Sequence, residues 1–240
     1  GANASSAAQR LRALLAPFFA KAHRTKPAAR VPPLRLAVRP LPGQTSPEAY
    51  TLVVDAHQGV TLTGASAEGV ARGLQSLRDL LPLQPSAAVA LPALRISDAP
   101  RFEHRGLLLD VARNFQPKAA VLRVLDLMAQ LKLNKLHFHL TDDEGWRLAI
   151  RGLPELTDFG ARRGHSADPW RHLPPAYGSG PDVNGADGSG HYTAADYADI
   201  LRHAQALHIE VIPEIEMPGH ARAAVKAMQA RAHRLAAAGD

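Results

Sequence analysis

Three short apolar runs, separated by segments of helical spacing and each running into polar residues, constrain this fold more than any other feature. "RGLLLDV" (105–111) is nearly continuous in apolar character, the pattern of a strand buried on both faces of a parallel sheet. "KLHFHLT" (135–141) alternates Leu136, Phe138 and Leu140 against His137, His139 and Thr141, and "IEVIPEIEMPGH" (209–220) supplies a third strand. Between the first two, Pro117 opens a helix whose Val121, Leu122, Leu125, Met128 and Leu131 face inward. Between the second and third comes a Gly/Pro/Asp-rich excursion, roughly 160–190. A helix follows it, started by Thr193 with Asp196 three residues on, which resembles a capping box. Ile200, Leu201, Ala204 and Leu207 are its apolar face, and residues 221–237 begin another helix. Strands alternating with helices predict parallel βαβ units.

The polar residues sit just past the C-terminal ends of these strands: Arg113 after the first, Asp142, Asp143 and Glu144 after the second, His220 after the third. In a β/α barrel that rim carries the chemistry, and a doubly wound sheet would place ligands there too.

The chain before residue 101 is organised differently. A helix is expected over 5–23, with Leu11, Leu14, Leu15, Phe18 and Phe19 at helical spacing and Pro17 interrupting. After a Pro-rich connector come strand-like runs at 34–40, 50–56 and 59–65, the last two forming a hairpin around "HQ". Ser66 is the expected N-cap of a helix that faces Val70, Leu74, Leu77 and Leu81 inward, and "LPALRISDAP" is extended. The expected division is a small α+β domain over 1–100, with helix and linker at 1–33, then an α/β portion over 101–240.

Composition narrows the function classes. The net charge of +6 comes from scattered Arg rather than a basic run interleaved with aromatics, which argues against a specific nucleic-acid surface. No apolar run is long enough to span a bilayer, and no cleavable signal peptide is visible. The absence of cysteine excludes disulfides and thiolate metal sites. No internal repeat is present.

Four segments, "HRGLLLDVARNF", "MAQLKLNKLHFHLTDDEGWRL", "HYTAADYADIL" and "IEVIPEIEMPGH", together resemble the β-N-acetylhexosaminidases of glycoside hydrolase family twenty, in that family's order and spacing. The resemblance extends over nearly the whole chain after about residue 34. It implies a (β/α)₈ TIM barrel behind a small α+β domain, of which about three βα units are present here. It also implies removal of terminal β-linked N-acetylglucosamine or N-acetylgalactosamine with retention of configuration. In that substrate-assisted scheme the sugar's own 2-acetamido oxygen attacks C1, a Glu protonates the leaving oxygen, and an adjacent Asp orients the acetamide. No cofactor or metal is called for. The implied partner is a glycan or chitooligosaccharide ending in N-acetylhexosamine. Bacterial members are often exported, to the periplasm or beyond, and animal members are often lysosomal.

By resemblance, Arg113 holds the terminal sugar's hydroxyls, a task suited to a guanidinium fork. Asp142 and His220 match a pair behind the catalytic acid, the carboxylate holding one imidazole nitrogen so that the other faces the acid. Glu216 stands where the family usually has Asp, and with His139 belongs to the sugar-facing rim. His137 and His139 serve either to position that rim or to touch sugar. Asp143 and Glu144 are either loop braces or site groups, and Trp146 either packs or stacks on sugar. Asn114 replaces a histidine common after the arginine. The family's Gly-Gly-Asp-Glu segment, which supplies the acid and its Asp partner, appears nowhere in these 240 residues. The sequence is therefore expected to be part of a longer polypeptide, or to have its barrel completed by a companion segment. Two alternatives of other classes are a non-catalytic sugar-binding chain retaining Arg113, and a metal-dependent hydrolase built on His137-x-His139 and Asp142.

Overall fold

Alternating apolar residues and one capped helix build the N-terminal part. In the computed structural model, which describes residues 33–82, 84, 89–185 and 188–239 together with Ala16, it contains β1 (Leu34–Val38), β2 (Tyr50–Asp55), β3 (Gly59–Gly64), α1 (Ala67–Asp79) and β4 (Leu94–Asp98). The sheet order is β1-β3-β2-β4, with β1 parallel to β3 and the other pairs antiparallel. The expected β2–β3 hairpin forms, closing with Asp55 opposite Gly59. The Asp55 carboxylate accepts the N–H groups of His57 and Gln58 in the turn. The helix expected over 5–23 lies, apart from Ala16, outside the described residues.

Ser66 caps α1 as expected, its hydroxyl accepting from the N–H groups of Glu68 and Gly69. Val70, Leu74 and Leu77 pack on Tyr50, Leu52 and Leu62 to form this core. Leu81 lies past the end of α1, because the helix stops at Asp79 with Leu80 as its C-cap. Buried Arg72 bonds Glu48 at 2.7 Å and Glu68 at 2.9 Å.

The second part holds three parallel strands in the order β5 (Gly106–Asp110), β6 (Lys135–His139), β9 (Glu210–Glu214), and β5 aligns Leu109 with Phe138. The short pair β7 (Thr141–Asp142) and β8 (Gly145–Trp146) leaves β6. The helices are α2 (Lys118–Gln130), the single turn α3 (Glu155–Asp158), α4 (Ala194–Ala206) and α5 (Arg222–Ala238). Thr193 and Asp196 form a complete capping box at α4. Lys118, at the start of α2, pairs with Asp196 at 2.6 Å and Asp199 at 2.9 Å, which joins the two helix starts. Gly239, at φ +76°, ends α5 in the left-handed conformation. No described helix is long and apolar enough to cross a membrane.

The expectation of burial on both faces fails for β5, whereas the alternation expected for β6 puts Leu136 and Phe138 on its buried face. Those two side chains are fully buried, while Leu107 and Leu108 are 40% and 52% exposed. The reason is position: β6 lies between two strands, while β5 pairs with β6 alone among the described residues. Two helix-face residues also depart. Leu131 lies beyond the last turn of α2, where Lys132 turns to φ +58°, and its side chain leaves the packed stripe. Leu201 flanks the narrow stripe of Ile200 and Ala204 and is exposed.

The chain divides into Gly1–His104 with Ala129–Lys132, and Arg105–Met128 with Leu133–Asp240. In the first of these units Gly69 is a close-approach position: an added Cβ would lie 2.3 Å from the backbone oxygen of Ala49 and 3.1 Å from that of Pro47. Gly69→Ala should gain about 1 kcal/mol of helix propensity. It should lose more, about 1–3 kcal/mol, to a clash that backbone atoms cannot relieve cheaply. A lower urea midpoint is therefore expected, and an unchanged or higher one would mean that α1 can shift.

Candidate active site

Asp110 ends β5 and turns the chain. Its Oδ1 accepts the N–H groups of Ala112 (3.0 Å) and Arg113 (3.1 Å), and Oδ2 accepts Nη1 of Arg113 at 3.0 Å. The guanidinium then lies 2.7 Å from Oδ2 of Asp142 through Nη2, and 3.4 Å from Oε2 of Glu144 through Nε. Burial alone would lower the Arg113 pKa, but the Asp110 bond and the charges of Asp142, Asp110 and Glu144 outweigh it, so the pKa is raised. Arg113 Nε, Asp142 Oδ2 and Glu144 Oε2 are buried at ion-pair distances without aligned hydrogen bonds. The fork is held by one aligned hydrogen bond to Asp110 and by the charges of Asp142 and Glu144.

His139 ends β6 and is 5% exposed. Its Nε2 is 2.9 Å from the carbonyl oxygen of Thr141, which can only accept, so Nε2 carries a proton. In the neutral ring that leaves Nδ1 as an acceptor 3.4 Å from Nη1 of Arg113. Nε2 also lies 3.2 Å from Oδ2 of Asp142.

Asp142 is 2% exposed and closes the cluster. Its Oδ1 accepts the Asp143 N–H at 2.6 Å and stands 3.3 Å from Nδ1 of His220. The His220 side chain is 61% exposed, so its far nitrogen stays open. His220 has φ +52°, a left-handed conformation costly for a residue with a Cβ. Thr141 ties the β6 exit to the β9 exit by accepting the Glu216 N–H at 2.9 Å.

The structure thus brings Arg113, His139, Asp142 and His220 together. Glu216 sits at the edge of the cluster, its carboxylate 3.9 Å from His139. Asp143 braces the loop, its Oδ1 accepting the Arg222 N–H at 3.0 Å. Trp146 packs against the cluster of Leu156, Phe159, Leu173, Ala223 and Ala227, and its indole N–H donates to the Leu148 carbonyl. His137 pairs with Glu214 at 2.7 Å rather than joining His139 and Asp142 as the metal alternative needs. Two other triads, His139–Asp142–Glu216 and Asp142–Asp143–His220, have the spacing to hold a cation. Both depend on Asp142, where the Arg113 charge opposes a metal ion.

Sequence reasoning missed Arg147. This fully buried side chain donates from Nε to Val111 O (3.0 Å), from Nη1 to Ala161 O (3.2 Å) and Gly190 O (3.1 Å), and from Nη2 to Ala112 O (2.8 Å) and Gly188 O (3.2 Å). One guanidinium therefore fastens the residues just before Arg113 to both ends of the excursion. The Phe115 ring lies 5.8 Å from its Cζ, and a Cβ on Gly145 would come within 2.5 Å of the same atom. Burial, then the nearby charge of Arg163, lower its pKa to about 10, which leaves it protonated at neutral pH. The only sequence signal was an Arg inside the apolar run "GWRLAI".

Three parallel strands bring an arginine, a buried carboxylate and a histidine to one rim, the arrangement of part of a β/α barrel. Residues 102–239 match the catalytic domain of glycosyl hydrolase family 20, and residues 2–99 match domain 2 of that family. The chain belongs to glycosyl hydrolase family 20. It is 52% identical over 177 residues to the N,N'-diacetylchitobiase of Vibrio harveyi, covering 74% of this chain and 20% of that protein. It is 48% identical over 206 residues to β-hexosaminidase B of Pseudoalteromonas piscicida, covering 86% and 26%. Among solved structures, it resembles the Vibrio harveyi exo-β-N-acetylglucosaminidase in complex with N-acetylglucosamine, with a TM-score of 0.78, 31% identity, and coverage of 95% of this chain and 34% of that one. The Streptomyces plicatus N-acetyl-β-hexosaminidase gives a TM-score of 0.71 at 36% identity, with 93% and 42% covered. The fold is that family's N-terminal α+β domain followed by the first part of its barrel. The chain spans about a fifth to a quarter of the length of these two curated relatives.

Arg147→Met should leave five carbonyl groups without their donor and cost on the order of 3 kcal/mol or more. Arg147→Lys, with one ammonium in place of a fork, should fall between Met and wild type. Denaturant unfolding of the three proteins measures this, and equal midpoints would mean that water replaces the guanidinium.

Proposed function

We propose that the protein containing this chain is a retaining β-N-acetylhexosaminidase that removes terminal N-acetylglucosamine or N-acetylgalactosamine from glycans or chitooligosaccharides. The supporting observation is the Asp142–His220 pair, a nearly inaccessible carboxylate 3.3 Å from one nitrogen of an imidazole whose ring is open to solvent. In this reading the 2-acetamido oxygen of the substrate attacks C1 as the glycosidic C1–O bond breaks. The leaving oxygen takes a proton from a glutamic acid outside these 240 residues, and water then opens the oxazolinium ring. Arg113 donates to hydroxyls of the terminal sugar, with His139 and Glu216 beside it. Asp142 holds His220 so that its Nε2 faces the acid and steadies the acid's proton. The acid and its Asp partner come from the remainder of the barrel. Exposed Leu107, Leu108, Ile212 and Ile215 support closure of this sheet by further βα units.

Release of 4-nitrophenol from its N-acetyl-β-glucosaminide tests the reading. The full-length protein should be active and the 240-residue chain inactive. In the full-length protein, Arg113→Gln should raise KM about 10-fold or more, the loss of a charge-assisted hydrogen bond. His220→Gln should lower kcat by at least about 10-fold with KM little changed. An inactive full-length protein that still binds N-acetylglucosamine through Arg113 would favour a sugar-binding role instead.

A further inference from the structure

The excursion encloses a cleft that the rim chemistry does not use. Residues 164–175 lie against the first turns of α5 and border a space of about 730 Å³, the size of a small-ligand site. The walls are fastened. Gly164 and Leu173 bond to each other's strand, Gly164 N to Leu173 O and Leu173 N to Arg162 O, both at 3.0 Å. Trp170 stacks on His233 of α5, with centroids 4.6 Å apart and planes 9° from parallel.

Charge placement in this cleft conflicts with helix stability. Arg222 and Lys226 both line it, one turn apart at the N-terminus of α5. Like charges at that spacing repel, and cations at a helix N-terminus oppose the dipole. The first turn carries no acidic residue and the N-cap Ala221 provides no side-chain bond. Among the described residues neither cation has an ion-pair partner. Asp168, the one carboxylate on the wall, uses Oδ1 on the Trp170 N–H within its own turn.

A buried group also faces the space. His172 is 7% exposed and lines the cleft. Its Nδ1 is spent on the Leu173 carbonyl at 3.1 Å, and its Nε2 has no hydrogen-bond partner among the described residues. That nitrogen suits a hydroxyl group. Phe159, Leu173 and Pro174 add an apolar wall that suits the C–H face of a sugar ring.

We propose that this cleft is a second ligand site that takes an acidic saccharide unit, with its carboxylate or sulfate between Arg222 and Lys226. The Arg222 N–H is bonded to Asp143, whose own N–H is bonded to Asp142, so the cleft adjoins the rim. The saccharide identity rests on the hydrolase reading; the anion preference rests on the cleft alone.

The test is calorimetry on the full-length protein with saturating N-acetylglucosamine present, titrating glucuronic acid, glucose 6-sulfate and glucose separately. At least one acidic sugar should bind saturably, more weakly at high salt, and glucose should not. The preferred acid distinguishes carboxylate from sulfate. The R222Q/K226Q variant, altered at two exposed positions, should bind it at least 10-fold more weakly, with an equal or higher melting temperature and unchanged N-acetylglucosamine affinity. No saturable binding of either acid, equal binding of glucose, or full affinity in the variant would overturn the site. Such a failure with hydrolysis intact would reject the cleft alone, whereas failed hydrolysis with acid binding intact would reject only the activity.

Discussion

The Asp142 carboxylate is the point on which the rim depends. A carboxylate this deeply buried costs several kcal/mol in lost hydration unless a partner charge and hydrogen bonds replace the water. Here the replacement comes from every strand exit: Arg113 after β5, His139 at the end of β6, the Asp143 N–H in the β7–β8 turn, and His220 after β9. Each oxygen has a separate task. Oδ2 faces the arginine and His139, and Oδ1 faces His220. A single buried group thus sets the positions of Arg113 and His220 together.

Arg147 does for the backbone what Asp142 does for the side chains. Its donors reach Val111 and Ala112, immediately before Arg113, and Ala161, Gly188 and Gly190 in the excursion. The long segment after β8 is therefore a built wall rather than a loose loop. Its interior carries Arg163, also fully buried, and the Trp170 stack on α5. The cationic cleft exists because that wall stands away from α5 at one place and is pinned to it at another.

What could be read from the sequence was local or positional. The Ser66 cap and the Thr193–Asp196 box span two or three residues, so their partners are visible in the chain itself. Arg113, Asp142 and His220 were legible because parallel strands deliver their exits to one end, and because their motifs resemble a known family. What depended on distant neighbours was not legible. "RGLLLDV" carries the pattern of a doubly buried strand, yet exposure is decided by which elements cover it. The role of Arg147 could not be read because carbonyl direction is a property of the folded path, and five carbonyls from three segments leave no residue signature. The cleft was equally hidden, since Arg222 and His172 are fifty residues apart.

The most direct test is the isosteric Asp142→Asn in the full-length protein, measured for N-acetylglucosamine affinity and for single-turnover rate. If Asp142 joins the two halves of the rim, both should fall, since Arg113 loses its buried counter-charge and His220 loses the acceptor that orients it. A fall in rate with affinity unchanged, or the reverse, would contradict that account and show that Arg113 and His220 are positioned independently.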